Sequence, residues 1–267
     1  LKDSIWINED EIPGDGIDND GNGYVDDVNG WNFVSNSNEI CTGEEDSHGT
    51  HGAGTIAAAW NNGGIAGITD STHVKLMVLK ALGGSEGKGS PESVIEAMKY
   101  AEANGADICN LSFGSSNCTP EFEAAIRDSK MLFVVAAGNG NQYQVGYDID
   151  KSPVYPASLP YDNVITVGNL LFNGHLDESS NYGATSVDLA APGTYILSTI
   201  PGDSYASMAA PMVTAAAALI YSARTDLSLQ DIKTAILSTV HKLAPLKGKT
   251  ATGGMLDVSA AIKWTKN

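Results

Sequence analysis

From residue 73 onward, short apolar runs at 73–82, 106–113, 131–137 and 163–168 alternate with stretches whose apolar positions recur every three or four residues. Short, bounded apolar runs read as buried strands, and their alternation with helical patterns predicts a parallel sheet flanked by helices. The helix starts are written locally. Ser90 can cap a helix that has Pro91 at its first position, Val94, Met98 and Ala101 on one face, and Gly105 at its close. Thr119-Pro120-Glu121 repeats that start signal before 122–126. Ala209–Ala223 is alanine-rich with Pro211 in its first turn, which predicts a helix buried at the centre. The segment 226–240 places Leu229, Ile232, Ile236 and Val240 on one helical face. No internal repeat or linker interrupts this order, so the 267 residues are expected to form one large α/β domain.

The first forty residues break the pattern. They are rich in Asp, Asn and Gly and hold four isolated apolar anchors, Ile5, Trp6, Trp31 and Phe33, which predicts an ordered loop region. Composition adds exclusions. With 42% hydrophobic and 18% charged residues the chain is neither disordered nor collagen-like. Thirty-two acidic residues against fifteen basic ones give a net charge of -17, which repels nucleic acid and anionic lipid surfaces as partners. No apolar run approaches the ~20 residues that span a bilayer, and no leader-like pattern precedes Leu1, so a mature or trimmed piece is expected. Cys41, Cys109 and Cys118 permit at most one internal disulfide.

Within the loop region, Asp15-Gly16-Ile17-Asp18-Asn19-Asp20-Gly21-Asn22-Gly23-Tyr24-Val25-Asp26-Asp27 sets oxygen-bearing side chains at alternate positions, with Gly23 where a calcium loop must turn. Asp18, Asp20 and Asn22 would supply the first three ligands, the Tyr24 carbonyl the next, and Asp26 a direct or water-mediated one. Asn29 stands where an EF-hand has its bidentate Glu, and no helix-forming run precedes the loop. The expectation is therefore a structural calcium site that is not an EF-hand. The competing reading is a solvated acidic turn.

Chemistry concentrates in one motif and several satellites. Ser47-His48-Gly49-Thr50-His51-Gly52-Ala53-Gly54-Thr55 puts a histidine at the start of a small-residue helix whose glycines and alanines allow tight packing. This stretch resembles the subtilisin-like serine peptidases, with Gly52 in place of their usual valine-like residue. Asn110-Leu111-Ser112-Phe113-Gly114, Ala136-Ala137-Gly138-Asn139, Tyr155-Pro156-Ala157, Ala190-Ala191-Pro192-Gly193 and Gly253-Gly254-Met255-Leu256-Asp257-Val258 continue the resemblance in order, so it covers essentially the whole chain. It implies a subtilisin-like three-layer α/β/α fold with a mostly parallel central sheet. It also implies acyl transfer, with His48 as proton carrier, Asn139 as oxyanion donor and Ser112, Phe113 and Gly114 lining the substrate.

Two departures qualify that resemblance. The family's aspartate lies in an apolar strand ending Asp-x-Gly, upstream of the segment that resembles Leu1-Lys2-Asp3, and these residues contain no such strand. Asp3 and Asp10 lie in polar loop sequence and do not replace it. The nucleophile region reads Pro201-Gly202-Asp203-Ser204-Tyr205-Ala206-Ser207-Met208-Ala209-Ala210-Pro211, about five residues shorter than the family motif. Ser207 aligns with the nucleophile through the Met-Ala-Ala-Pro that follows it, or with an ordinary residue through the Tyr205-Ala206 that precedes it. In triads of this type, loss of the aspartate costs about 10⁴ in turnover and loss of serine or histidine about 10⁶, so the serine loop weighs more.

Three readings stay open at this stage. One is a serine endopeptidase of weak or no activity in this form, acting on peptide or protein substrates. Another is a pseudopeptidase that binds extended peptides along Ser112-Phe113-Gly114. The third is a metallopeptidase using His48 and His51 with Glu44, Glu45 or Asp46, which is disfavoured by the absence of an HExxH glutamate and by Gly49 and Gly52. Phe113, Gly87 and Gly89 point to an extended groove for mainly apolar side chains. The resemblance further implies a monomer, the chain's own prodomain as a candidate partner, and an extracellular or secretory location.

Overall fold

The computed structural model describes residues 1–83, 87–200, 204–205 and 208–266, with the backbone alone at 204–205. In chain order the elements are β1 (Gly30–Asn32), α1 (Ser47–Ala57), β2 (Val78–Lys80), α2 (Pro91–Ala103), β3 (Ile108–Leu111), α3 (Pro120–Arg127), β4 (Leu132–Ala136), β5 (Val164–Leu170), β6 (Leu189–Pro192), β7 (Ile196–Leu197), β8 (Ser204–Tyr205), α4 (Ala209–Ala223), α5 (Leu229–Ser238), β9 (His241–Lys242), β10 (Gly254–Met255) and α6 (Val258–Ala261). The main sheet runs β3-β4-β5-β6-β10-β9, parallel throughout except for β9.

Strand period two decides the layers. On β4, Phe133 and Val135 pack with Val94, Met98, Phe122 and Ile126 of α2 and α3. Leu132 and Val134 face the other way, into Val213, Ala217, Ile220, Ile232 and Ile236 of α4 and α5. A parallel sheet covered on both faces is the three-layer α/β/α arrangement expected from the sequence. The helix starts also follow their signals: Ser90 Oγ accepts from Ser93 N at 3.1 Å and Thr119 Oγ1 from Phe122 N at 3.2 Å. Helix α5 opens at Ser228 with a reciprocal capping box to Asp231, later than the apolar pattern alone would start it.

Two local expectations change. The loop region contains a strand, because Gly30, Trp31 and Asn32 pair in parallel with Val78, Leu79 and Lys80. Three residues are too few to show period two. A Cβ at Gly30 would sit 2.0 Å from the Val78 carbonyl oxygen, so only glycine admits this approach. The run 73–82 contributes only Val78–Lys80 as strand, since Leu76 spends its N–H on Ser4 O (2.7 Å) and accepts from Trp6 N (2.9 Å). All three cysteines are free; Cys41 is exposed, and burial pushes the Cys109 thiol up to about 12.

Strand β2 pairs only with β1, and β3 only with β4, among the described residues. Side chains from both nevertheless pack beneath α2, where Leu79 and Leu111 share a cluster with Val94 and Met98. No helix among the described residues is long and apolar enough to cross a membrane.

Phe133 is fully buried at the middle of β4. Phe133→Ala is expected to cost about 4 kcal/mol through lost burial and the cavity left behind. Equilibrium urea denaturation checks this, and a cost under about 1 kcal/mol would contradict the layer assignment.

Candidate active site

Helix α1 holds His48 in its first turn and is seated by close backbone approach. A Cβ at Gly54 would lie 2.3 Å from both Ser198 Oγ and Thr199 Oγ1. Those hydroxyls instead donate to α1 carbonyls, Ser198 to His51 O at 2.6 Å and Thr199 to Thr50 O at 2.9 Å. His51 Nε2 lies 2.8 Å from Ile196 O, a third tie between α1 and the strand leading to residues 201–207. On the same helix, a Cβ at Gly52 would stand 3.6 Å from Pro211 Cγ in the first turn of α4. Gly52 lies one helical turn beyond His48, on the same side of α1. The histidine-bearing helix thus sits between the 196–199 segment and the start of α4.

His48 is partly buried, and its pKa lies below the ordinary 6.5 because burial disfavours the imidazolium and His51 adds like-charge repulsion. A histidine kept neutral near pH 7 is in the form a general base needs. His51 is fully buried, with its ring engaged at Ile196, which places it in the scaffold and not as a ligand beside His48. The metallopeptidase reading loses its second histidine accordingly.

Asn139 is exposed, three residues beyond the end of β4. The turn that carries it needs Gly138, whose φ is +97° and whose Cβ would lie 2.7 Å from Asn181 Nδ2. Asn181 holds that turn: its Nδ2 donates to Ala137 O and its N–H to Gly138 O, both at 2.9 Å, while its Oδ1 accepts from Tyr147 N at 3.2 Å. Sequence reasoning missed Asn181, since an Asn before Tyr182-Gly183 reads as an ordinary loop residue.

Beyond β3, Ser112-Phe113-Gly114 leads into Ser115, which exchanges two backbone hydrogen bonds with Tyr155 at 2.8 and 2.7 Å. A Cβ at Gly114 would be 2.8 Å from Val154 Cγ1. Asn110 ties this strand end to α4, its Oδ1 accepting from Thr214 Oγ1 at 2.8 Å while its Nδ2 donates to Ser112 Oγ at 2.9 Å. A cleft of about 220 Å³ results, lined among others by Ser112, Phe113, Gly114, Asn139, Tyr147 and Asn181. Ser112, Phe113, Gly114 and Asn139 therefore line one cavity.

Ser207 lies outside the described residues, as do 201–203 and Ala206. Met208, directly after it, is fully buried and is the N-cap residue of α4. Asp3 and Asp10 are both exposed, Asp3 in a single 3-10 turn.

The acidic loop is organised by its own backbone. The Asp18 carboxylate accepts from the N–H groups of Gly21 (2.7 Å), Asn22 (3.1 Å) and Gly23 (2.8 Å), which hold it below the usual carboxylate range. Asp26, at φ +56°, turns its carboxylate to the N–H groups of Gly14, Asp15 and Gly16. The ring of Tyr24 stacks edge-on against Trp31, Phe33 and Tyr100. Carboxylate oxygens of Glu11, Asp20 and Asp27 lie within 4.8 Å of one another, with Glu11 and Asp27 buried. Asn22 Nδ2 donates to both Asp20 and Asp27, at 2.9 and 3.0 Å. Of the expected ligands, Asp20 belongs to this cluster and Asn22 borders it, while Asp18 and Asp26 serve the turns. Glu11 precedes the calcium-like register of the sequence, and Asp27 follows the place that Asp26 fills in it.

Comparison with known proteins supplies the frame for this geometry. The Subtilase family of peptidases matches residues 7–256, a range that takes in His48, Asn139 and Ser207. The chain belongs to the subtilase family. It is 35% identical over 286 residues to subtilisin-like protease 1 of Plasmodium falciparum, an alignment covering 98% of this chain and 41% of that protein. It is 34% identical to subtilisin DY of Bacillus licheniformis, covering 88% of this chain and 84% of the relative. Against the major intracellular serine protease of Bacillus subtilis it is 38% identical, over 73% of this chain and 62% of the relative. Among solved structures, the prenylagaramide maturation protease PagA superposes with TM-score 0.67 at 28% identity, covering 81% of each chain. The subtilase cytotoxin SubAB structure shares the fold at TM-score 0.73 and 22% identity, covering 87% of this chain and 81% of its own. The chain thus spans less than half the length of its Plasmodium relative.

Proton linkage at His48 is testable without substrate. The imidazole is expected to titrate with a midpoint below 6.5 in the folded protein, followed by two-dimensional NMR. Because the folded state binds this proton less readily than the unfolded chain, the fold loses stability as pH falls below 6.5 and through the folded midpoint, and is unaffected by this group above that. A midpoint at or above 6.5 would contradict the burial assigned to His48.

Proposed function

We propose that this chain acts as a serine endopeptidase domain, cleaving extended peptide segments by acyl transfer. The observation that carries the reading is the juxtaposition of α1 with the first turn of α4 through Gly52 and Pro211, with α4 tied through Thr214 and Asn110 to Ser112 of the cleft that also holds Asn139. In this reading Ser207, which directly precedes Met208 in the sequence, attacks the peptide carbonyl and His48 takes its proton and returns it to the leaving amine. The Asn139 amide donates to the developing oxyanion, and the backbone of Ser112–Gly114 pairs with the substrate as an added strand. An aspartate that orients His48 is expected from a further strand, and the edges of β2 and β3 that have no partner strand among the described residues, beneath α2, offer it a place. A monomer, with a prodomain and peptide or protein substrates as partners, is part of the proposal.

The cleft lined by Ser112, Phe113 and Gly114 also suits a second reading, in which the chain binds extended peptides along these residues without turnover. A fluorophosphonate probe separates the two. Labelling at Ser207, abolished by His48→Ala and reduced about 10²–10³-fold by Asn139→Ala, is expected of the peptidase. Peptide binding with no adduct at Ser207 would leave the binder.

We also propose that Glu11, Asp20 and Asp27 hold a structural calcium ion. Their donor set is all carboxylate oxygen, as a hard cation prefers, and two of the three carboxylates are buried where mutual repulsion is costly. Calcium would act there on stability of the loop, not on the chemistry. An extracellular or secretory location is proposed with it. Added calcium is expected to raise Tm, and Glu11→Gln or Asp27→Asn to remove that rise; a Tm independent of calcium would contradict the site.

A further inference from the structure

We propose that Lys80 is a positioning residue for His48, locking the first turn of α1 onto the end of β2 through Glu45, Asp46 and Thr42. Lys80 closes β2, and its side chain is only 5% exposed. Its ammonium lies 2.6 Å from Thr42 Oγ1, 2.6 Å from Glu45 Oε1 and 2.9 Å from Asp46 Oδ1, so each of its three N–H groups has an acceptor. The partners also bind one another, since Thr42 N donates to Asp46 Oδ2 at 2.6 Å and the Thr42 hydroxyl lies 2.6 Å from Glu45 Oε1. The resulting cage is sequence-local on one side, 42–46, and anchored to the sheet on the other.

What marks the cage as a positioning device is the conduct of Asp46. It occupies the N-cap position of α1, where an aspartate ordinarily accepts from the N–H groups of the first turn. Here its side chain makes no capping bond and turns to Lys80 and Thr42 instead. The helix gives up a stabilising cap so that its end can be tied to β2. Helix α1 needs that tie, because its 11 residues include Gly49, Gly52 and Gly54, which disfavour helix, and short helices fray from their ends. His48 stands two residues inside that end. A well-packed apolar contact could hold two elements together as firmly as a buried ion pair, but without fixing direction. The charges respond consistently: hydrogen bonding to Lys80 holds Glu45 below the usual carboxylate range, and the two carboxylates raise Lys80 against the opposing effect of its burial. Asp46 is also lowered, with burial opposing and Lys80 and Thr42 prevailing.

The inference rests on the peptidase reading for its kinetic readout but not for its spectroscopic one. Lys80→Met, Lys80→Arg and the pair Glu45→Gln with Asp46→Asn are compared with the unaltered protein by fluorophosphonate labelling rate and by NMR titration of the His48 imidazole. Lys80→Met is expected to slow labelling about tenfold or more and to move the His48 midpoint up toward 6.5 as its turn opens to water, with Lys80→Arg restoring both. A thermal melt accompanies each variant, so that a general loss of folding is seen as such. If Lys80→Met does not fold, the double carboxylate variant, which leaves a single ammonium among neutral acceptors, carries the same expectations. Lack of labelling in the unaltered protein would count against the peptidase reading alone, and the His48 titration would still decide the tether. Unchanged labelling and an unchanged His48 midpoint in a folded variant would overturn the proposal.

Discussion

The arrangement depends on how closely two helices and one strand can approach. Helix α4 passes beneath β3, β4, β5 and β6 with many alanines, among them Ala209, Ala210 and those at 215–218, and α1 lies against it through Gly52. Gly54 lets the 196–199 segment reach α1 closely enough for two hydroxyls to bond its carbonyls. On the far side, a Cβ at Gly193 would come within 2.7 Å of Ala209 N, so the turn after β6 also abuts the start of α4. Each of these contacts is forced open if a side chain larger than the native one is inserted, because packed interiors have no spare volume. The position of the start of α4 relative to α1 is therefore a consequence of packing in the core.

Much of this was legible beforehand, for identifiable reasons. Caps at Ser90 and Thr119, the limits of Ala209–Ala223, and the opposed faces of β4 all follow from patterns local in sequence. The backbone settings of His48 and Asn139, a helix start and a turn after a strand, were legible because glycines accompany both residues in sequence. What escaped was long-range. Strand β1 exists because Gly30 tolerates contact with Val78, 48 positions away. Asn181 matters because it bonds the turn at Ala137 and Gly138 from a loop beyond β5. The carboxylates that converge are Glu11, Asp20 and Asp27, and their grouping depends on folding of the loop more than on spacing along it.

The charge distribution gains a structural meaning. The net charge of -17 includes many carboxylates that do work in place. Asp18 and Asp26 hold turns through backbone N–H groups, as does Glu11, whose oxygens accept from Asn19, Asp20 and Asp26. Glu45 and Asp46 hold Lys80. A region poor in apolar residues can be ordered in this way, because each carboxylate satisfies several donors that would otherwise require sheet or helix. The N-terminal loops are thus a scaffold of side-chain to backbone hydrogen bonds laid against the α/β core, and they end at the helix that carries His48.

The proposed peptidase function requires the His48 imidazole, the Asn139 amide and the Ser207 hydroxyl to meet at the same peptide carbonyl. The most direct measurement is a crystal structure of the chain after reaction with a peptidyl chloromethyl ketone, which needs a nucleophile at the carbonyl and a histidine at the methylene together. The account predicts a single adduct joining Ser207 Oγ and a nitrogen of His48, with the former carbonyl oxygen turned to Asn139 and the peptide lying along Ser112–Gly114. An adduct on another residue, or a peptide seated in the cleft with Ser207 remote from its carbonyl, would contradict it.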